Sequence, residues 1–423
     1  MTTKKLARFA LLFAAAFAAI LFCRDSFASY RQKPQTHFLS WESKNRPDDL
    51  RRYKQYRGDV RRLRVSKDRI AKLKKSSFWN KRPYQFTTPV VSDGRLYIGA
   101  DAGRFYAFEM PRGKKIWEFK TEGPVQAKAT LFDDTVFFAD TKANVYALDS
   151  MTGAERWRAK LDTEVLTEPL VSGNRVIITD MSGRLYALDR ATGNRLWNTD
   201  PADRGIGFSV RRASSPVESG GLILVGTQAG AVIAYRSSDG SIAWVRQIGD
   251  RQSQVNDVDN KPLLANGRAY VSSADGTMVA LDPSNGTVLW FSEAGGVNDI
   301  ILHEGRLYAS GGGVLSALDP ETGMIVWQQD LETPELSSPA GGNKYIAVVS
   351  TTEKLFLIDS QTGDIIFDRF IRKGSFGDPT IDGDGLYLVS NSGALYGFKV
   401  RELPPKKGKE PKPKKEKSSK GSD

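Results

Sequence analysis

The stretch ALDRATGNRLW, Ala187 to Trp197, decides the fold because the chain keeps repeating it. Close copies stand at 147–157 (ALDSMTGAERW), 280–290 (ALDPSNGTVLW) and 317–327 (ALDPETGMIVW). Aligning the closing aromatics gives Trp79, Trp117, Trp157, Trp197, Trp244, Trp290 and Trp327, with Phe367 in the same role. In the third unit three short runs precede the tryptophan: EPLVS (168–172), RVIITD (175–180) and RLYALD (184–189). A fourth, NRLWNT (194–199), carries it. Apolar residues alternate, β-branched and aromatic residues are enriched, and glycine-bearing turns separate the runs, so these are strands. Four strands per unit of about 40 residues is the signature of a β-propeller blade.

Each part of the repeated phrase has a structural task. The alanine lets neighbouring strands approach. The aspartate accepts hydrogen bonds from turn amides. Thr-Gly supplies a tight turn, and the glycine can take a positive φ. The tryptophan fills the space between blades. The last unit ends at GALYGFKV (393–400) without a tryptophan strand. SSFWN (76–80), ahead of the first unit, is the candidate to complete it. The expectation is an all-β, eight-bladed propeller over 76–400. Its last blade is completed by an N-terminal strand, which removes the open sheet edge.

Spacing says where the ring departs from regularity. The residues opening each innermost strand are read as Pro89, Ala129, Pro169, Pro216, Pro262, Asp299 and Pro339, each 28 residues before its unit's aromatic. Variation therefore lies between units. Trp117 to Ala129, Trp157 to Pro169 and Trp327 to Pro339 each span 12, whereas Trp197 to Pro216 spans 19 and Trp244 to Pro262 spans 18. The enlarged connections, 198–215 and 245–261, are successive, so they should lie side by side on one face. Loops that lengthen on a rigid scaffold are where recognition usually sits. By the same alternation, the basic N-terminal arm and the C-terminal tail should emerge together on the opposite face.

Composition bounds the chemistry. A single cysteine, Cys23, excludes a disulfide framework and a cysteine zinc cage, and there are only two histidines, His37 and His303. The sequence offers no nucleophile–base pair and no phosphate loop, so no catalytic residue, metal site or cofactor is assigned. DGDG (382–385) falls at a strand-to-strand turn and lacks the run of ligands that calcium needs. Residues 1–28 read as an export signal, with Lys4, Lys5 and Arg8 ahead of an apolar run and Ser26-Phe27-Ala28 as a cleavage site. A retained anchor and lipidation at Cys23 are the alternatives, although Phe22 is bulky where a lipidation signal wants a small residue. The net charge of +12 is uneven: residues 30–85 carry +13, residues 401–423 carry +5 and the body 86–400 carries −9. The basic arms therefore say nothing about the body's own partner. Residues 29–75 read as a basic extension, partly helical or disordered. Within it Leu50, Tyr53, Val60, Leu63, Ile70 and Leu73 recur at near-helical spacing, either as an amphipathic segment for anionic lipid or as a solvated linker. The Lys/Pro-rich tail 401–423 is disordered on composition. An exported chain has little call for nucleic acid.

The phrase A-L-D-x-x-T/S/N-G-x-x-x-W resembles the repeat of pyrroloquinoline-quinone-type propellers, a family that includes quinoprotein dehydrogenases. Those enzymes carry a vicinal Cys-Cys pair, which this chain lacks. The long loops narrow the resemblance. GIGFSVRRASSP (205–216), NDVDNKP (256–262) and GGVNDIILHEGRLY (295–308) look like the BamB-type factors of outer-membrane β-barrel assembly. That resemblance implies a non-enzymatic periplasmic scaffold, peripheral to the outer membrane and monomeric within a complex. It also implies docking of a POTRA domain of the BamA-like barrel-forming subunit. Carried over, the contacts fall on Phe208, Val210, Arg211, Asp257 and Asp259. Phe208 and Val210 would share one side of an extended segment as an apolar anchor. Arg211 would fork onto a carboxylate or carbonyls, either on the partner or on Asp257 and Asp259 of the neighbouring loop. The alternatives are a quinone- or sugar-binding propeller using its central funnel, and an exported scaffold for an unrelated complex. The basic extension and tail are not family features; contact with an anionic membrane or envelope polymer is the expectation for them.

Overall fold

The structure is a computed structural model that describes residues 63–73, 86–199, 213–249, 256–294, 296 and 298–402. They form eight four-stranded antiparallel sheets arranged as propeller blades, with no helix among them. Blade 3 illustrates the unit: Leu170–Ser172, Arg175–Thr179, Leu185–Asp189 and Arg195–Asn198, each paired with the next. The second and third strands are buried on both faces and read as continuous apolar runs. The short first strands line the axis, and the fourth strands face solvent.

The repeated phrase proves to be an interlock between blades. Each alanine sits opposite its tryptophan across the ladder, as Ala187 opposite Trp197, and a register shift follows at once. These alanines are fully buried. The tryptophan then crosses to the next blade and lies against the glycine of its Thr-Gly or Asn-Gly turn: Trp117 on Gly153, Trp157 on Gly193, Trp290 on Gly323, Trp327 on Gly363. Its indole N–H donates to a carbonyl of that turn, from Trp117 to Ser150 at 3.0 Å and from Trp157 to Arg190 at 2.8 Å. Trp197 is the exception, for its buried Nε1 finds no partner among the described residues. The aspartate shapes the turn that receives the ring. Asp149 Oδ1 accepts from the amides of Met151 and Thr152 at 3.1 and 2.8 Å and from the Thr152 hydroxyl at 2.8 Å. Arg156, hydrogen-bonded to the other oxygen, and these turn donors pull the Asp149 carboxyl down to about 2.

Closure by an N-terminal strand is present, but not by the expected segment. The fourth strand of blade 8 is Leu63–Lys72, antiparallel to Ala394–Glu402. SSFWN, with Trp79, lies outside the described residues. Part of the presumed basic extension is therefore propeller, and as strand rather than helix. The register slips between Arg69 and Ala71. Such a bulge breaks the period-2 alternation, so Val65 and Ile70 both pack inward although an odd number of residues apart, and Ile70 and Leu73, three apart, imitate helical spacing. Ile70 takes the packing place of the missing tryptophan, against Gly113 of blade 1, and Leu73 is buried in the same cluster.

Blade 6 departs from the expected frame by one residue. Every other first strand begins one residue after the position read as its opening, but this one is Ile301–His303. Asp299 thus lies one residue before the opening, and the 28-residue spacing held because the Gly311–Val314 hairpin is one residue shorter than its equivalents.

Candidate functional site

In each blade the strands alternate direction, so second-to-third turns and fourth-to-first connections share one face, and the remaining turns share the other. Both enlarged connections are of the fourth-to-first kind. They follow Arg195–Asn198 in blade 3 and Ile242–Gln247 in blade 4, and therefore crown adjacent blades on one face. Their ends are joined: the Ser214 hydroxyl donates to the Asn260 carbonyl at 2.7 Å. At blade 8, Leu63 pairs with Glu402, so the chain enters its first strand and leaves its last at the same end, away from that crown.

Of the expected contact residues, Phe208, Val210 and Arg211 lie outside the described residues. Asp257 and Asp259 are half-buried and flank Val258, which is fully buried. The Val258 amide donates to Thr227 O at 2.9 Å, and the Asp257 carbonyl accepts from Ala274 at 2.8 Å. Val258 thus packs this segment onto blades 4 and 5, beside Val217, Leu224 and Val271.

The residue two before each first strand was not foreseen as a member of a set. These positions are Thr88, Lys128, Glu168, Ser215, Lys261, Asp299, Ser338 and Asp378, polar in all eight blades, and they ring the axial mouth on the crown face. Amides of one blade donate to side chains of the next: Lys261 to Asp299 Oδ1 at 2.8 Å, Asp299 to Ser338 Oγ at 3.3 Å, Ser338 to Asp378 Oδ1 at 2.8 Å, and Asp378 to Thr88 Oγ1 at 3.1 Å. The Glu168 amide donates to Ser215 Oγ at 3.0 Å. Burial, reinforced by the Asp378 carboxylate, pushes the Asp299 carboxyl up to about 6 against the pull of Lys261. The signal was available in the sequence, as a polar residue preceding each opening residue, a proline in six blades of the eight, but the one-residue error in blade 6 hid Asp299 from the series. Among the described residues no cluster of three or more His, Cys, Asp or Glu has the geometry to hold a metal ion.

Comparison with known proteins agrees with the geometry. The family model described as "Outer membrane protein assembly factor BamB" matches residues 101–312 and 311–403. Proteins named outer membrane protein assembly factor BamB are similar over part of the chain. That of Yersinia pestis is 27% identical over 199 residues, covering 45% of this chain and 51% of the relative. That of Legionella pneumophila is 29% identical over 209 residues, covering 47% and 54%. The chain spans about half the length of the curated relatives it matches. Among solved structures, BamB from Moraxella catarrhalis superposes with a TM-score of 0.66 at 21% identity, over 79% of this chain and 98% of that one. A quinohemoprotein alcohol dehydrogenase from Comamonas testosteroni gives 0.64 at 15% identity, over 81% and 77%. Likenesses at that level speak for the fold alone. With the family model spanning most of the propeller, the chain belongs to the BamB family of outer membrane protein assembly factors.

Proposed function

We propose that this protein is a non-enzymatic periplasmic scaffold for assembly of outer-membrane β-barrel proteins. It holds a POTRA domain of a BamA-type subunit on its crown. The observation that carries this reading is the pairing of the two enlarged connections, successive in sequence, on one face, and tied through Ser214 and Asn260. Two adjacent long loops on a rigid ring can offer an extended edge main-chain hydrogen bonds for affinity and side-chain contacts for specificity, the elements of strand-edge recognition. Phe208, Val210 and Arg211 from the first and Asp257 and Asp259 from the second are the assigned contacts. Residues 1–28 act as the export signal, and the basic arms on the opposite side touch the anionic envelope, replacing or supplementing a lipid anchor at Cys23. The test is a pull-down of the purified partner domain. Arg211→Glu should weaken capture about tenfold or more, as expected when a charge-assisted contact becomes a repulsive one. Unchanged capture would remove the crown from the interface.

A further inference from the structure

We propose that Glu168 and Lys261 form a strut at the axial mouth that positions both long connections for docking without touching the partner. The inference rests on the docking reading above. Its starting point is a break in the ring of amide-to-side-chain hydrogen bonds. Lysine carries donors only, so at blade 5 the Lys261 side chain cannot accept the amide of Ser215 as Asp299, Ser338 and Asp378 accept those of their neighbours. The step lies where the two enlarged connections end, at Ser215 and Lys261. Instead, Lys261 reaches back over blade 4, and its Nζ lies 2.9 Å from Glu168 Oε2. Glu168 in turn holds the end of the first connection through its amide and Ser215 Oγ at 3.0 Å, and draws Lys128 to 3.6 Å. The Lys261 amide is pinned to Asp299. Residues 214–215 and 260–261 are thereby fastened to each other and to blades 3 and 6.

The pair differs from the ion pairs on the blade edges. The Glu168 side chain is 16% exposed and Lys261 34%, whereas Lys354 and Asp368 on the rim of blade 7 are 50% and 53% exposed. A bridge largely out of water loses more when one partner is removed, because a charge is left half-buried and unpaired. It stands at the feet of the connections rather than at their crests, so its effect on a partner is indirect.

The experiment is a double-mutant cycle on the full chain: Lys261→Met, Glu168→Gln and the pair together, with Lys261→Arg as the conservative control. Two readouts are taken. One is Kd for the isolated POTRA segment of a BamA-type subunit. The other, with no partner present, is hydrogen exchange at the Val258 and Lys261 amides, after circular dichroism confirms a folded ring. Each single variant should raise Kd about fivefold to tenfold and speed exchange at both amides, a coupling in the range expected for contacting residues. The double should do no worse than the poorer single, and Lys261→Arg should stay near wild type. Wild-type exchange in both single variants, faster exchange with unchanged Kd, or additive losses in the double would each overturn the strut. Failure of the wild-type chain to bind would sink the docking reading instead, while the exchange data would still decide whether the strut fixes the connections.

Discussion

The interlock between blades makes a quantitative prediction at Gly193. Its φ is 75°, and a Cβ built there would lie 2.6 Å from Cε3 of Trp157. Gly193→Ala therefore carries two penalties. Left-handed backbone costs a non-glycine residue about 1–2 kcal/mol. Crowding a ring that is 8% exposed and tied by its N–H to Arg190 adds about 1–3 kcal/mol of overpacking. Gly173 separates the two terms, since its φ is 56° and nothing lies within 4 Å of the added methyl. Gly173→Ala should thus cost about 1–2 kcal/mol, and Gly193→Ala about 2–5 kcal/mol. Urea unfolding followed by far-ultraviolet circular dichroism measures both, provided the slopes agree. In a Trp157→Ala background the ring is gone, and the cost of Gly193→Ala should fall to that of Gly173→Ala. If the two glycine variants are equally destabilised, or the tryptophan background makes no difference, then the tryptophan–glycine contact is not what joins the blades.

Other expectations follow from the same geometry. Ile70→Ala should destabilise the ring by about 1–3 kcal/mol, less than a fully buried isoleucine because this one is half-buried, as denaturant midpoints would show. Asp299→Asn keeps an acceptor for the Lys261 amide but removes a carboxylate whose pKa is raised. Ionisation of Asp299 opposes folding above about 6, so the variant should be the more stable at pH 7. That advantage should shrink as pH falls through 6 towards 4, in melting temperatures taken across the range; a gap independent of pH would contradict it. Asp149 behaves oppositely. Its carboxyl is lowered to about 2, so its contribution is present above the ordinary carboxylate pKa and fades as pH falls towards 2. Asp149→Ala should lose about 0.5–2 kcal/mol at pH 7, as for loss of a capping side chain, and little at pH 2.

The blade count and the identity of the two long connections were readable because both depend on spacing, which a repeat preserves. The phrase from Ala187 to Trp197 was legible as shape, and its aspartate does cap the turn. That the tryptophan is received by the glycine of the next blade was not legible, since a contact 36 residues away has no local signature. The closing strand was misplaced for two physical reasons. SSFWN carries the tryptophan, while the strand in use carries Ile70 instead; and the bulge at Arg69–Ala71 interrupts strand alternation where Ile70 and Leu73 stand three apart. At the crown, Asp257 and Asp259 were picked out by resemblance, whereas the ring from Thr88 to Asp378 needed the blades aligned to the residue. One shortened hairpin in blade 6 was enough to conceal it.

Docking on the crown, and not on the opposite face, is the step on which the proposed function stands. A photo-cross-linking residue placed in turn at Arg211, at Asp257 and at Ala191, an exposed turn residue on the other face, tests it in intact cells. Crown docking gives adducts with the barrel-forming subunit from 211 and 257 and none from 191. Adducts from 191 with silence at 211 and 257 would contradict it.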